Sequence, residues 1–253
     1  MGRLSGKVAI VTGGSRGIGF ETARAFVREG AQVTLAGREE ATLARAAAEL
    51  GGAHWIVTDV SVAEDCKRLV ETTLARHGKL DVMVANAGIE GAAADIADYP
   101  LDMFDRVMAV NVRGVFLTLK YAIPAMKPAG GSIVITSSIG GIKSRGQGNS
   151  AYIASKHAEI GLMRSAASEC APHGIRVNCV LPGPTDTRMM RNIERDRAPD
   201  APEQMRAAIM AALPFKRYGT PEEVANLILF LASDQASVCT GGVYAADGGL
   251  SGV

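Results

Sequence analysis

Residues 8–29 constrain the fold of this chain most. Val8-Ala9-Ile10-Val11 is a continuous apolar run, the pattern of a short strand buried on both faces. It leads directly into Thr12-Gly13-Gly14-Ser15-Arg16-Gly17-Ile18-Gly19, after which residues 20–29 carry Ala23, Phe26 and Val27 at helical spacing. A strand, a glycine turn and a helix in this order bring unpaired helix N–H groups to a turn that a ligand can approach closely. Gly13, Ser15, Arg16, Gly17, Ile18 and Gly19 are therefore candidates to hold a pyrophosphate. A second apolar strand at 32–36 supplies the context such a turn requires.

The alternation continues to the end of the chain. A helix rich in alanine is expected at 39–50 and a strand at 53–57, ending at Thr58-Asp59-Val60. Ser61 is the expected N-cap of a helix reaching about His77, with Glu64 at the capping-box position. Residues 81–85 form the next buried strand, followed by Asn86-Ala87-Gly88, and a long helix covers 101–123. Strands at 132–136, 175–181 and 242–246 alternate with helices at 151–170 and 221–232, the last with Thr220 as N-cap and Pro221 in its first position. No repeat or linker divides the 253 residues. The pattern predicts one α/β domain, doubly wound, with a seven-stranded parallel sheet covered by helices on both faces. The irregular stretch at 184–214 holds Met189, Met190, Met205, Pro184, Pro199 and Pro202. It follows the sixth strand, where open sheets bind ligands, and is expected to act as a substrate-binding lid.

Composition narrows the partners. A net charge of +1 without a basic tract argues against nucleic acid. The four cysteines are scattered, as expected of free thiols in a reducing compartment, and the four histidines form no metal-ligand pattern, so no metal is expected. The first apolar run is too short for a signal peptide. No run approaches the ~20 residues of a membrane span. The expectation is a soluble, cytoplasmic protein with no membrane partner.

The chemistry centres on Ser138 to Lys156. Tyr152 and Lys156 are four residues apart, which places them on one helix face. A phenol ionises near pH 10, and an ammonium about 4 Å away at an effective dielectric of about 20 favours the phenolate by roughly 4 kcal/mol. That pairing would equip Tyr152 to exchange a proton near neutrality.

Thr12-Gly13-x-x-x-Gly17-x-Gly19, Asn86-Ala87-Gly88, Asn111, Ser138, Tyr152-x-x-x-Lys156 and Pro182-Gly183 stand in that order. From end to end this resembles the short-chain dehydrogenase/reductase family, whose domain is a Rossmann fold. The resemblance implies that Tyr152 is the general acid–base, that Lys156 assists it and holds the nicotinamide ribose, and that Ser138 hydrogen-bonds the substrate oxygen. It implies that Asn111 sits at a helix irregularity and supports a proton-relaying water. Asp59 and Val60 would flank the adenine, while Asn86, Ala87 and Gly88 line the cofactor cleft beside Pro182 and Gly183. Thr187 and Thr185 would meet the nicotinamide carboxamide. Ser138 stands fourteen residues before Tyr152, where the family usually has thirteen, which implies a loop one residue longer.

The implied reaction is hydride transfer between a nicotinamide and a ketone or secondary alcohol of small or medium, mostly apolar character. NADP(H) is expected over NAD(H): Gly37 stands where the family's NAD-preferring members have aspartate, and Arg38 follows, with Arg16 able to approach the same phosphate. A 3-oxoacyl-[acyl-carrier-protein] reductase is the alternative, with Lys127 and His173 as the basic residues that would meet an acidic carrier. A non-catalytic NADP-binding scaffold is a further alternative, which the presence of the serine, tyrosine and lysine disfavours. The family implies a homotetramer, and apolar residues on several faces of residues 224–231 hint at an interface.

Overall fold

A computed structural model describes residues 2–143 and 148–252. Seven strands form one parallel sheet: β1 (Val8–Thr12), β2 (Gln32–Gly37), β3 (His54–Val57), β4 (Val82–Ala85), β5 (Gly131–Thr136), β6 (Ile175–Pro182) and β7 (Val243–Ala246). Their spatial order is β3-β2-β1-β4-β5-β6-β7. The helices between them are α1 (Gly17–Arg28), α2 (Glu40–Glu49), α3 (Ala63–His77), α4 (Leu101–Val107), α5 (Gly114–Met126), α6 (Ser150–Cys170), α7 (Arg188–Arg197), α8 (Pro202–Ala212) and α9 (Pro221–Ala232).

The continuous apolar runs are explained by burial on both sheet faces. Successive strand side chains point to opposite faces, so Ala9 and Val11 pack with α1, α2 and α9. Ile10, between them, packs with α3, α5 and α6. The same division separates Val134 from Ile133 and Ile135 on β5. The chain leaves β1 toward β2 on one side and returns through β4 on the other, so β1 and β4 flank the point where the strand order reverses. A crevice at the carboxyl ends of the strands follows at that point.

Three local expectations are corrected. Ser61 does not cap α3: its amide and hydroxyl both go to Asp59 Oδ1, at 2.9 and 2.6 Å, and Val62 precedes the helix without a side-chain cap. A charged acceptor two residues back is a stronger partner than the helix amides. The long helix at 101–123 is interrupted by a π-helical turn over Met108–Arg113 and extends to Met126. The apolar faces of α9 are not left open, since Val224, Ala225, Ile228, Leu229 and Leu231 are buried and Leu227 and Phe230 pack on the same core. At the start of α9, Thr220 is the N-cap as expected, and Glu223 completes a reciprocal capping box with it.

Candidate active site

The glycine turn follows β1 and opens α1. Gly13 and Gly17 have φ of +64° and +54°, a region costly for other residues. Gly19 is required by contact: a Cβ there would lie 2.3 Å from Gly13 O and 2.6 Å from Asn86 Nδ2. No side chain caps the N-terminus of α1. Such a turn fits a pyrophosphate because its glycines bring the backbone close and the first amides of α1 have no side-chain cap. Thr187, the N-cap of α7, faces it, with its Cγ2 3.4 Å from a Cβ built on Gly17.

Asn86 braces the turn from β4, donating from Nδ2 to Thr12 O at 3.0 Å. The Thr12 hydroxyl accepts from the Asn86 and Ala87 amides at 3.0 and 3.1 Å. Thr12 is thus the clamp between the ends of β1 and β4, a role the motif did not assign to it. Gly183 serves close packing, since a Cβ there would come within 2.8 Å of Asp247 Cα. Pro182 ends β6 beside it. The Thr185 hydroxyl is committed to Gly183 O at 2.9 Å.

Asp59 and Val60 follow β3. Burial opposes ionisation of Asp59, but the bonds from Ser61 outweigh it and hold its carboxyl below the ordinary range. At the end of β2, a Cβ on Gly37 would meet only ordinary contacts, Leu43 Cδ2 at 3.5 Å and Ser15 Oγ at 3.8 Å. Arg38 is exposed and forms no ion pair among the described residues. Arg16 donates to Glu39 Oε2 at 2.8 Å and Thr42 Oγ1 at 3.0 Å.

Ser138 follows β5 with its hydroxyl accepting from the Gly140 amide at 3.0 Å. A Cβ on Gly140 would lie 3.4 Å from Ser138 Oγ and 3.6 Å from Tyr152 Cε1, so serine and tyrosine flank the same glycine. Ser137 is spent elsewhere, donating to Lys156 O at 3.0 Å. The longer loop expected between Ser138 and Tyr152 includes residues 144–147, which lie outside the described residues.

Asn111 lies within the π-helical turn, fully buried. Its Oδ1 accepts from Ile89 N at 2.9 Å, and its Nδ2 donates to Ile89 O and Ser155 Oγ, both at 3.0 Å. The side chain ties the loop after β4 to α6. Lys156 Nζ and Asn111 Oδ1 both approach Gly88, 3.6 and 3.3 Å from where its Cβ would stand.

The direct pairing of Lys156 with Tyr152 meets a competitor. Nζ lies 5.5 Å from the Tyr152 ring centroid, while it donates to Glu159 Oε1 and Oε2 at 2.8 and 3.1 Å and to Thr136 O at 3.2 Å. Burial penalises the lysine's charge, but Glu159 outweighs it, and Lys156 is held above its ordinary value. Glu159 escaped the sequence reading, although its spacing of three from Lys156 was a signal.

Residues 184–214 form α7 and α8. Asn192 on α7 donates to Glu90 Oε1 at 2.8 Å, and Ile193, Gly91, Ala92, Ala93 and Tyr152 border a cavity of about 60 Å³. Inside the segment, Glu194 accepts from Arg191 and from the Tyr218 hydroxyl, which donates at 2.8 Å. Lys127 and His173 lie elsewhere: one follows α5 shortly before β5, the other directly precedes β6, at the amino ends of the strands. Tyr152 and the glycine turn stand at the carboxyl ends.

Among the described residues, no group of histidine, cysteine and acidic side chains is placed to hold a metal, and no helix is long and apolar enough to cross a membrane. All four cysteines are free thiols.

Comparison with known proteins shows the family and the fold. The family described as enoyl-(acyl carrier protein) reductase matches residues 13–251. (+)-Borneol dehydrogenase 2 of Salvia officinalis is 40% identical, over 98% of this chain and 90% of its own. 2,5-Dichloro-2,5-cyclohexadiene-1,4-diol dehydrogenase of Sphingobium indicum is also 40% identical, over the whole of both chains. The crystal structure of levodione reductase superposes with a TM-score of 0.96 at 34% identity, over 99% of each chain. The chain belongs to the short-chain dehydrogenase/reductase family of NAD(P)-dependent oxidoreductases, acting on alcohol and carbonyl groups.

Proposed function

We propose that the protein transfers hydride between NADP(H) and a ketone or secondary alcohol of small to medium size and mostly apolar character. The observation that carries this reading is the meeting of Ser138, Tyr152 and Lys156 around Gly140 and Gly88, beside the glycine turn at the strand-order reversal. The backbone at Gly13, Ser15, Arg16, Gly17, Ile18 and Gly19 would hold the pyrophosphate, and Asp59 and Val60 the adenine. Ala87, Gly88, Pro182, Gly183, Thr185 and Thr187 would border the nicotinamide half. The bound nicotinamide supplies the hydride-exchanging carbon.

The remaining work belongs to side chains of this chain. Ser138 donates a hydrogen bond to the substrate oxygen, where negative charge develops during reduction. Tyr152 gives that oxygen its proton on reduction and removes it on oxidation. Lys156 provides positive charge beside the tyrosine, and Asn111 holds the Ser155 hydroxyl, which in turn donates to the Tyr152 carbonyl. Residues 184–214 act as a lid, with Ile193 and Ala92 giving the cavity its apolar lining.

Arg38 supports the preference for NADP(H): it is exposed at the end of β2, close enough for its charge to act on Asp59 but in no direct ion pair among the described residues. Lys127 and His173 give no support to an acyl-carrier protein, because they occupy the opposite end of the sheet. We also infer a homotetramer in the cytoplasm. The free thiols agree with a reducing compartment.

The test is a panel of apolar ketones and secondary alcohols with NADPH or NADP⁺, followed at the nicotinamide absorbance. Tyr152→Phe should lower turnover by about 10²–10⁴-fold, the range for loss of a general acid–base, while NADPH still binds. Turnover within a few-fold of wild type would refute the assignment.

A further inference from the structure

The acid–base pair stands beside a third ionisable group that the proposed reaction does not use. Glu159 lies one helical turn beyond Lys156 on α6, on the side facing the sheet. Its relative exposure is 0%, and that of Lys156 is 4%. The carboxylate receives two hydrogen bonds from Lys156 Nζ, and the Thr136 carbonyl receives a third. An ammonium has three N–H donors, so in this arrangement every one has an acceptor inside the protein. Tyr152, one turn earlier on α6, has the ammonium beside its ring rather than bonded to its oxygen.

A buried ammonium needs an anion, since leaving one charge of such a pair uncompensated is costly. Two candidates are within reach: the Glu159 carboxylate and the Tyr152 phenolate. The other groups facing the pair do not compete. Ser137, after β5, is neutral. Cys179 on β6 is kept a neutral thiol by burial and by the Glu159 charge. Arg164, further along α6, acts on Cys179 and is not bonded to Glu159.

We propose that Glu159 is a positioning residue of the active site: it is the resident counter-ion of Lys156, competes with the Tyr152 phenolate for that ammonium, and so sets the pH range in which Tyr152 releases its proton. The proposal rests on Tyr152 being the acid–base group. With Glu159 in place the ammonium is neutralised locally, and Tyr152 keeps its proton to higher pH, which favours its use as an acid in reduction. Burial raises the Glu159 carboxyl to about 6 against the pull of Lys156.

Ultraviolet difference titration of tyrosinate tests this without turnover. Subtracting the titration of Tyr152→Phe from that of wild type isolates the Tyr152 signal, and the same subtraction is made in a Glu159→Gln background. The expected result is displacement of the Tyr152 signal to lower pH by about 1 unit or more, the size of effect a neighbouring charge exerts. A signal that stays in place or moves to higher pH overturns the proposal. Should Glu159→Gln fail to fold, Glu159→Asp decides instead: the shortened carboxylate loosens its hold on Nζ, and the signal moves the same way by a smaller amount or the proposal falls. Failure of the functional reading is distinguishable, because it would appear as retained turnover in Tyr152→Phe whatever the titration shows.

Discussion

Cofactor choice rests on two adjacent residues at the end of β2. An aspartate in place of Gly37 would present a carboxylate to a 2′-phosphate, and the site has room for it, since the nearest neighbour of an added Cβ is Leu43 Cδ2 at 3.5 Å. Arg38 offers two parallel hydrogen bonds to the same phosphate. Glu39 is the residue that weighs against this reading, and its carboxylate is already met by Arg16 and Thr42. Gly37→Asp with Arg38→Leu should therefore reverse the preference from NADP(H) to NAD(H), because it adds a repulsion and removes an attraction. The ratio of kcat/KM for the two cofactors measures it. Equal efficiency of the wild type with NADH and NADPH would show that neither residue reads the phosphate.

At the scale of the element, the start of α9 shows how a local motif is reinforced by an ion pair. The Thr220 hydroxyl accepts from the Glu223 amide at 3.2 Å, and Glu223 Oε2 accepts from the Thr220 amide at 2.8 Å. Arg217 adds two bonds to the same carboxylate, and with the Thr220 amide holds it down at about 2. Thr220→Ala should cost about 1 kcal/mol of stability. Glu223→Gln should cost less, because its side chain is 48% exposed and solvent screens the pair. The sign follows from the lowered value: the Glu223 contribution is complete above the unfolded carboxyl range near 4.3 and is lost as the pH falls from there toward 2. Denaturant titrations at pH 7 and pH 2.5 should show the two proteins differing at the first and by a clearly smaller margin at the second. The cap itself was legible from Thr220 and Pro221, because its partners lie within one helical turn; the part Glu223 plays came from the structure. The apparently similar Ser61 and Glu64 failed as a cap because Asp59, two residues earlier, took the serine for itself.

At the scale of the whole molecule, the remaining question is assembly. Most of α9 is buried within its own chain, and of the apolar residues that carried the interface hint only Leu227 and Phe230 stay partly exposed. Exposed large apolar residues are spread over the chain, Val238, Ile96 and Phe215 among them, and three fall on α4 and α5: Leu101 is 81% exposed, Phe104 40% and Phe116 48%. Light scattering should give four times the 26.4 kDa chain mass. Phe104→Asp combined with Phe116→Asp should reduce it, by placing carboxylates where apolar surface would be buried. A monomer mass for the wild type rejects the tetramer.

The sequence alone determined the order of strands and helices, the parallel sheet and the glycine turn. Each is encoded in apolar runs, helical spacing and backbone freedom within a few residues. It also marked Tyr152 and Lys156 through their spacing, and Ser138 through the resemblance to the family. Only the tertiary structure decided which of these groups lose solvent and what they then meet. Lys156 and Glu159 are three residues apart in any drawing of the helix, yet nothing local says that the sheet closes over both. Lys127 and His173 could be assigned to the cleft until the strand directions placed them at the far edge. A charge is costly only where water is absent, and where water is absent is a property of the packed sheet and its helices, not of any one segment.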